Sequence, residues 1–260
     1  MARSTNLITL GGLALGCAFA GTSAGQISDP YVVIEVATSS GRTGSLTISK
    51  NDPFVANGTD GGLVYAGFFP QVITDQFGDP IATVRSIFAP STAENVETVG
   101  VIDAKAAIVT ELVAGDEDTT FTITSAFVET TQPIANAIVQ GDGLYTVGDE
   151  GGGGVTVTGP NGPGALNEFF VNGTVDTGTL VGSLNNLTGP FNTNNLTDSF
   201  ADTLPDTALG FTVNSFQFRS TFTLSANDQA TSNFDFNVVP APASVGLLAL
   251  GGMVAARRRR

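Results

Sequence analysis

The sequence lacks several residue types on which catalysis and cross-linking most often depend. It contains no histidine and no tryptophan among its 260 residues, and its single cysteine is Cys17. Without histidine there is no imidazole base and no imidazole metal ligand, which excludes most common catalytic arrangements. With one cysteine the chain forms no internal disulfide, so a folded body must rely on its core and its backbone pairing. We therefore expect no enzymatic activity.

Basic residues are also scarce. The chain has ten Lys plus Arg against 24 Asp plus Glu, a formal net charge of −14. Half of the basic residues are Arg3 and the four arginines 257–260, so the central region keeps five basic residues against 24 acidic ones, a charge of −19. Such a surface repels nucleic acid, which we exclude as a partner. Apolar residues still make up 42% of the chain, which is enough for a packed core.

Residues 1–24 predict a signal peptide. Arg3 precedes an uncharged run from Leu7 to Ala20, and small residues follow that run. This is the layout of a secretory leader. Cleavage after Ala20 fits the small-residue rule, and cleavage after Ala24 fits it less closely; the sequence leaves both open. Lipid attachment at Cys17 is the less favoured alternative, because Leu15 lies one position away from where a lipobox requires it.

Residues 239–260 combine three features in order along the chain. A short proline motif is followed by the uncharged segment 243–256 and then by a basic cluster; the motif is Pro240, Ala241 and Pro242, and the cluster is Arg257, Arg258, Arg259 and Arg260. As a helix the segment would span about 21 Å, less than the roughly 30 Å of a hydrocarbon core. Snorkelling arginines and local thinning would close that gap, so we predict a C-terminal hydrophobic helix. A core helix with a basic tail and a proline-rich linker are the alternatives.

These features resemble the PEP-CTERM sorting signal of Gram-negative bacteria, although Ala241 stands where that family most often has glutamate. The resemblance covers only about residues 239–260. It implies an exported protein whose proline motif is the sorting motif and whose arginines stop the chain at the inner membrane, which the tail contacts transiently. It further implies an exosortase-like processing enzyme, with extracellular polysaccharide or other matrix proteins as partners. Cleavage of the tail and its retention as an anchor both remain open.

Residues 25–238 predict one all-β body. Val32, Ile34 and Val36 alternate with more polar neighbours, which is the period of a half-buried strand. The same alternation recurs in four further segments; these are Thr43 to Ser49, Thr120 to Phe127, Gly210 to Ser225 and Ser232 to Val238. We expect a single antiparallel β-sandwich of jelly-roll or immunoglobulin-like type.

Three finer predictions concern the connections of this body. Between 210 and 225 the apolar parity changes after Val213, which predicts a β-bulge or bend near Asn214 and Ser215. The glycines of Gly141-Asp142-Gly143 predict a turn. Asn185 to Pro205 predicts a long polar loop with a possible helical turn over 197–203.

Functional residues within the body are harder to identify. Acidic turns such as Asp116-Glu117-Asp118 offer oxygen ligands for calcium, yet solvated turns explain them as well, so we expect no cofactor. Four glutamates on predicted strands, namely Glu35, Glu111, Glu129 and Glu168, would suit a glycosidase, and we disfavour that interpretation. Sugar-binding surfaces use exposed aromatic rings. The candidates are Tyr65, one ring of Phe68-Phe69, most directly Phe69, and one ring of Phe169-Phe170. We expect a structural or adhesive protein of the cell surface or extracellular matrix, with a glycan-binding module as the alternative.

Overall fold

The structure is a computed structural model that describes residues 26–57, 62–92, 104–150, 154–160, 162–163, 166–184 and 197–241. For residues 162–163 and 197–202 it describes the backbone alone. The predicted cleavage residues Ala20 and Ala24 lie outside the described residues. The same holds for Pro242 and the arginines 257–260.

Within the described residues every regular element is a β-strand, and the strands form two sheets. Sheet 1 contains β1 (Val32–Thr38), β2 (Thr43–Ile48), β8 (Thr119–Ser125), β9 (Val128–Ile134), β11 (Val157–Gly159), β12 (Gly162–Pro163), β13 (Leu166–Val171), β14 (Thr179–Leu184) and β16 (Val213–Leu224). Sheet 2 contains β3 (Val55–Asn57), β4 (Leu63–Gly67), β5 (Gln71–Thr74), β6 (Pro80–Thr92), β7 (Ala104–Ala114), β10 (Ala137–Gly148), β15 (Thr197–Ala208) and β17 (Gln229–Pro240).

All strand pairs in both sheets are antiparallel. Sheet 1 follows the order β12-β11-β16-β8-β1-β2, while β9 and β13 also pair with β16 and β14 pairs with β13. Sheet 2 follows the order β15-β10-β17-β7-β6-β4-β3, and β5 also pairs with β6. Strands such as β1, β8, β10 and β17 bury alternate side chains, so the two sheets bury those faces against each other. The prediction of an all-β body built as an antiparallel sandwich is confirmed.

Aromatic rings from both sheets form the centre of the core. Tyr145 of β10 lies edge-on to Phe222 of β16, with ring centroids 5.2 Å apart. Phe169 of β13 and Phe236 of β17 meet at 4.8 Å. Ring pairs of this kind add stabilisation beyond the area that they bury. The core is therefore continuous between the two sheets.

The pairing of β16 is irregular at the predicted position, although the extra residues lie on its partner β9. The pairing of β16 with β9 changes register between Val213 and Ser215, and both of these residues are buried. Phe211, predicted to point inward with Val213, is 39% exposed because β16 begins only at Val213. Phe127, the last residue of one segment in which alternation was predicted, follows the end of β8 and is only half-buried.

Gly141-Asp142-Gly143 does not form the predicted turn. All three residues lie in the middle of β10, paired with β17 on one side and β15 on the other. A Cβ on Gly141 would lie 2.5 Å from the Phe169 ring, and one on Gly143 would lie 2.7 Å from the Asn167 amide. The glycines are there to admit side chains from the opposite sheet, a role of strand glycine that local sequence does not distinguish from a turn.

The helical turn predicted over 197–203 is likewise wrong, because that segment opens strand β15. Its backbone pairs with β10 from Thr197↔Gly148 to Ala208↔Ile138, so a tertiary partner overrides a weak local signal. As the outermost strand of its sheet, β15 carries Asp198, Asp202 and Pro205. Acidic residues and proline are common protection against edge-to-edge pairing with another chain.

Strand β17 continues into the proline motif instead of ending before it. Pro240 is the register partner of Ala137, and the Ala241 N–H donates to the Asn136 carbonyl at 3.0 Å. Ala137 directs its own N–H and carbonyl to Phe211 and Leu209 on its other side. The position opposite Ala137 therefore needs no N–H donor, which is why proline is tolerated there.

Candidate functional site

Two outer faces of the sandwich are candidates for function, and the first is apolar. Exposed apolar side chains gather on the part of sheet 2 made by β3, β4, β5 and β6. They are Phe54 (48% exposed), Phe68 (68%), Phe69 (67%), Val72 (56%) and Phe88 (41%). We call these five residues the aromatic surface. Several exposed apolar side chains on one part of a sheet commonly mark an interaction site.

Strand register explains how these residues come together. Phe54 precedes β3, and its carbonyl accepts a hydrogen bond from the Ala66 N–H at 3.3 Å. Ala66 in turn is the register partner of Phe88, so the three residues lie in one row across the sheet. The neighbouring row contains buried Tyr65, and successive residues of a strand point to opposite faces, so the Phe54 row points outward. The Phe69 ring joins this row, with its centroid 5.8 Å from that of Phe54.

The sequence identified only part of this surface. Of Phe68 and Phe69 one ring was expected outside, whereas both are exposed because β4 ends at Gly67 before them. Phe54 and Phe88 were missed. At Phe88 the alternation of apolar and polar residues does not indicate which face is exposed. The pairing of β6 with β7 is irregular between Val84 and Ser86, and the residues of β6 after that point face the opposite way to the preceding alternation.

Other predicted sugar platforms are wrong. Tyr65 is 1% exposed and accepts a hydrogen bond from the Gln71 amide at 3.3 Å, and burial raises the pKa of its hydroxyl. A Cβ at Gly67 would lie 2.4 Å from that hydroxyl, so the glycine makes room for the tyrosine inside the body. Phe169 and Phe170 are both buried, and Phe170 lies under the Arg219 guanidinium at 5.8 Å.

The second candidate is the outer face of sheet 1, which is rich in hydroxyl groups. In-register residues form rows across β2, β1, β8 and β16; one row is Ser45, Glu35, Thr122 and Thr221, and the next is Thr43, Ala37, Thr120 and Thr223. Thr120 and Thr223 share a hydrogen bond of 2.7 Å, a cross-strand pair that stabilises the sheet. A shallow groove of about 470 Å³ opens between these rows, with Glu35 in its lining. We call it the Glu35 groove.

The remaining candidate carboxylates have structural partners or stand apart from one another. Glu168 accepts hydrogen bonds from Arg219 at 2.6 and 2.9 Å, and Glu111 lies 3.5 Å from Arg85. Glu117 of the acidic turn accepts from Arg42 at 2.7 Å and from the Ser40 N–H at 2.9 Å. Across the part of the chain that the structure describes, no three acidic side chains are grouped so as to hold a metal ion.

Similarity to known proteins is slight. No family model matches the chain, and no curated protein matches it. Among solved structures, that of infectious bursal disease virus Gt strain is 10% identical with a TM-score of 0.27, and the match covers 84% of this chain and 60% of that one. This chain thus spans about 60% of the length of that protein.

A second solved structure comes from work on the promiscuous specificity of carbohydrate-binding modules of the β-sandwich superfamily. It is 10% identical with a TM-score of 0.25, and the match covers 81% of this chain and 84% of that one. At TM-scores this far below 0.5, neither likeness supports a shared function.

The described residues include no helix with the length and apolar character needed to cross a membrane. The predicted membrane helix over 243–256 lies outside them.

Proposed function

We propose that this chain is an exported structural or adhesive protein of the cell surface or extracellular matrix, sorted by its C-terminal tail. Two features support the proposal, one from the sequence and one from the fold. The tail carries a proline motif, an apolar segment and an arginine cluster in the order of a PEP-CTERM signal. The body presents the aromatic surface, and this surface is the observation that carries the adhesive role.

Aromatic rings on a rigid sheet suit contact with a polysaccharide. The flat C–H face of a sugar ring packs on an aromatic ring, and side chains on paired strands lose little conformational freedom when they bind. The ring planes of Phe54 and Phe69 lie at 50° to each other, so the two rings do not form one flat platform. The charge of −19 on residues 25–238 disfavours an acidic polymer, because like charges repel. The expected ligand of this surface is a neutral polysaccharide of the matrix.

A glycan-binding module attached to exopolysaccharide is the second candidate function, favoured by the same aromatic surface. The two candidates differ in what remains when the polysaccharide is removed. A structural protein stays associated with the cell surface after enzymatic digestion of the matrix glycans, whereas a glycan-binding module is released.

The sorting part of the proposal is tested by the intact mass of the protein from membrane, outer-surface and medium fractions. We expect a mass outside the cell that lacks the leader and the residues after about Pro240. A mass that retains Arg260 in the membrane fraction would instead identify the tail as a permanent anchor.

The adhesive part is tested by affinity electrophoresis in gels that contain neutral xylan or hydroxyethyl cellulose, or acidic alginate. We expect retardation by a neutral polymer and loss of retardation in the double variant Phe54→Ala/Phe69→Ala. Phe77→Ala is the matched control. Phe77 is 80% exposed, but it precedes Pro80 and so lies at the opposite end of β6 from Phe88. Eight residues of strand separate Pro80 from Phe88, about 26 Å at 3.3 Å per residue. Equal retardation of all three proteins would refute a role for the aromatic surface.

A further inference from the structure

The Glu35 groove lies on the opposite side of the sandwich from the aromatic surface, and its chemistry is different. Glu35 is exposed, and both of its in-register neighbours carry hydroxyl groups, Ser45 on β2 and Thr122 on β8. Cβ atoms of such neighbours lie about 5 Å apart, so one small ring can reach all three side chains.

The Glu35 carboxylate is uncompensated. Among the described residues it has no ion pair and no hydrogen-bond partner, whereas Arg219 and Arg42 on this side of the sandwich are both paired. Arg219, the basic residue of the next row, is neutralised by Glu168 at 2.6 Å. Arg42, at the start of the β2 hairpin arm, is held by Glu117 at 2.7 Å. The groove therefore offers one unpaired negative charge between the hydroxyl groups of Ser45 and Thr122.

These groups define the ligand that they suit. A carboxylate forms its strongest hydrogen bonds with a cation such as an ammonium group. Serine and threonine hydroxyls both donate and accept, so they complement the hydroxyl groups of a sugar without selecting one orientation. The overall acidity of the body attracts a cationic polymer and repels an anionic one.

We propose that the Glu35 groove binds amino-sugar units with a free, protonated amine, as in a glucosamine polymer. The ammonium group pairs with Glu35, and the ring hydroxyls exchange hydrogen bonds with Ser45 and Thr122. This site goes beyond the proposed function, because it needs neither the aromatic surface nor the sorting tail. It would give the protein two faces with affinity for two kinds of polymer, one neutral and one cationic.

The test is calorimetric titration of the purified protein with a glucosamine hexamer and with the N-acetylglucosamine hexamer of the same length. The two probes differ only in the amine charge and its acetyl group. We expect the glucosamine hexamer to bind at least tenfold more tightly. Glu35→Gln should weaken its binding at least tenfold, and Thr122→Val, which keeps the side-chain shape, about threefold.

Glu129→Gln is the matched control for charge. Glu129 is exposed, and its register partner on β16 is Ser215. Ser215 lies six residues along β16 from Thr221, which belongs to the Glu35 row. Glu129 is therefore about 20 Å from that row. Its removal should change the affinity less than twofold. Equal losses in Glu35→Gln and Glu129→Gln would overturn the proposal in favour of non-specific attraction to an acidic body.

A further variant separates this site from the aromatic surface. Phe54→Ala/Phe69→Ala should bind the glucosamine hexamer as the unmodified protein does. If that variant loses the binding while Glu35→Gln keeps it, the amino sugar binds on the aromatic surface and the Glu35 groove is not a site.

Discussion

The outer face of sheet 1 and the β3–β6 part of the outer face of sheet 2 differ in chemistry, although the inner faces of the two sheets are alike. On sheet 1 the outward residues are mostly threonine and serine around Glu35, whereas sheet 2 exposes Phe54, Phe69 and Phe88. Inward, both sheets contribute phenylalanines to one core. An inner face must fill space and exclude water, which constrains both sheets in the same way. An outer face has no such constraint, so its composition is the better guide to function.

Truncating a core ring that packs between the two sheets should have the greatest effect. Phe222 is fully buried, 5.6 Å from the Phe121 ring and 5.2 Å from the Tyr145 ring. Phe222→Ala should lower the free energy of unfolding by about 3–5 kcal/mol, because it leaves a cavity between the sheets. Urea unfolding followed by circular dichroism measures the loss. Phe222→Leu, which fills most of the space, should cost distinctly less, and equal costs would show that the cavity is not the cause.

A smaller effect tests how closely the sheets approach each other. Gly141→Ala on sheet 2 would place a Cβ 2.5 Å from the Phe169 ring on sheet 1. We expect a loss of about 1–3 kcal/mol from overpacking, measured by the same urea unfolding. The double variant Gly141→Ala/Phe169→Leu should lose less than the sum of the two single variants, since the smaller side chain gives way. Strict additivity would mean that the two residues do not meet.

Removing the exposed rings tests whether they contribute to the fold or only to the outer surface. Phe54→Ser/Phe69→Ser should change the free energy of unfolding by no more than about 1 kcal/mol, because surface substitutions usually cost within about 0.5 kcal/mol each. The same variant should bind less of a hydrophobic fluorescent dye. Phe77→Ser should remove less dye binding, since Phe77 lies before Pro80, at the opposite end of β6 from Phe88. A large loss of stability in the double variant would show that these rings are structural.

The smallest change in stability is expected from Glu117, near the end of the hydroxyl-rich face. Hydrogen bonds from Ser40, and then from Arg42, lower the pKa of Glu117 from 4.5 to about 2. A lowered folded-state pKa means that the stabilisation is fully present above pH 4.5 and is lost as the pH falls through about 2. The difference in unfolding free energy between the protein and Glu117→Gln should therefore shrink between pH 5 and pH 2. A constant difference over that range would contradict this assignment.

Strand prediction succeeded where one face of a segment was plainly apolar. Val32, Ile34 and Val36 are buried as expected, and so are Phe234, Phe236 and Val238. The irregular pairing after Val213 was also predictable, because a strand whose apolar parity changes can keep its core face only where the regular ladder is interrupted. Prediction failed at Gly141 and at Thr197, where the local residues favour a turn or a loop and a neighbouring strand decides otherwise.

The candidate surfaces were less predictable than the fold. Phe69 was identified as an exposed ring, but Tyr65 was placed outside although it is buried. Nothing in the residues around Tyr65 shows that Gly67 leaves room for its hydroxyl inside the body. The Glu35 groove was beyond reach, because Ser45, Glu35 and Thr122 become neighbours only through the pairing of three strands.

Composition and strand period are enough to indicate an acidic all-β chain without imidazole or disulfide chemistry, with strands where apolar residues recur at every second position. Those properties are local. Three others emerge only in the folded body: which aromatic rings face water, which glycines admit a side chain from the opposite sheet, and which hydroxyl groups lie beside Glu35. These depend on register and on sheet-to-sheet packing, where residues far apart in the chain meet and a shift of one position exchanges inside for outside.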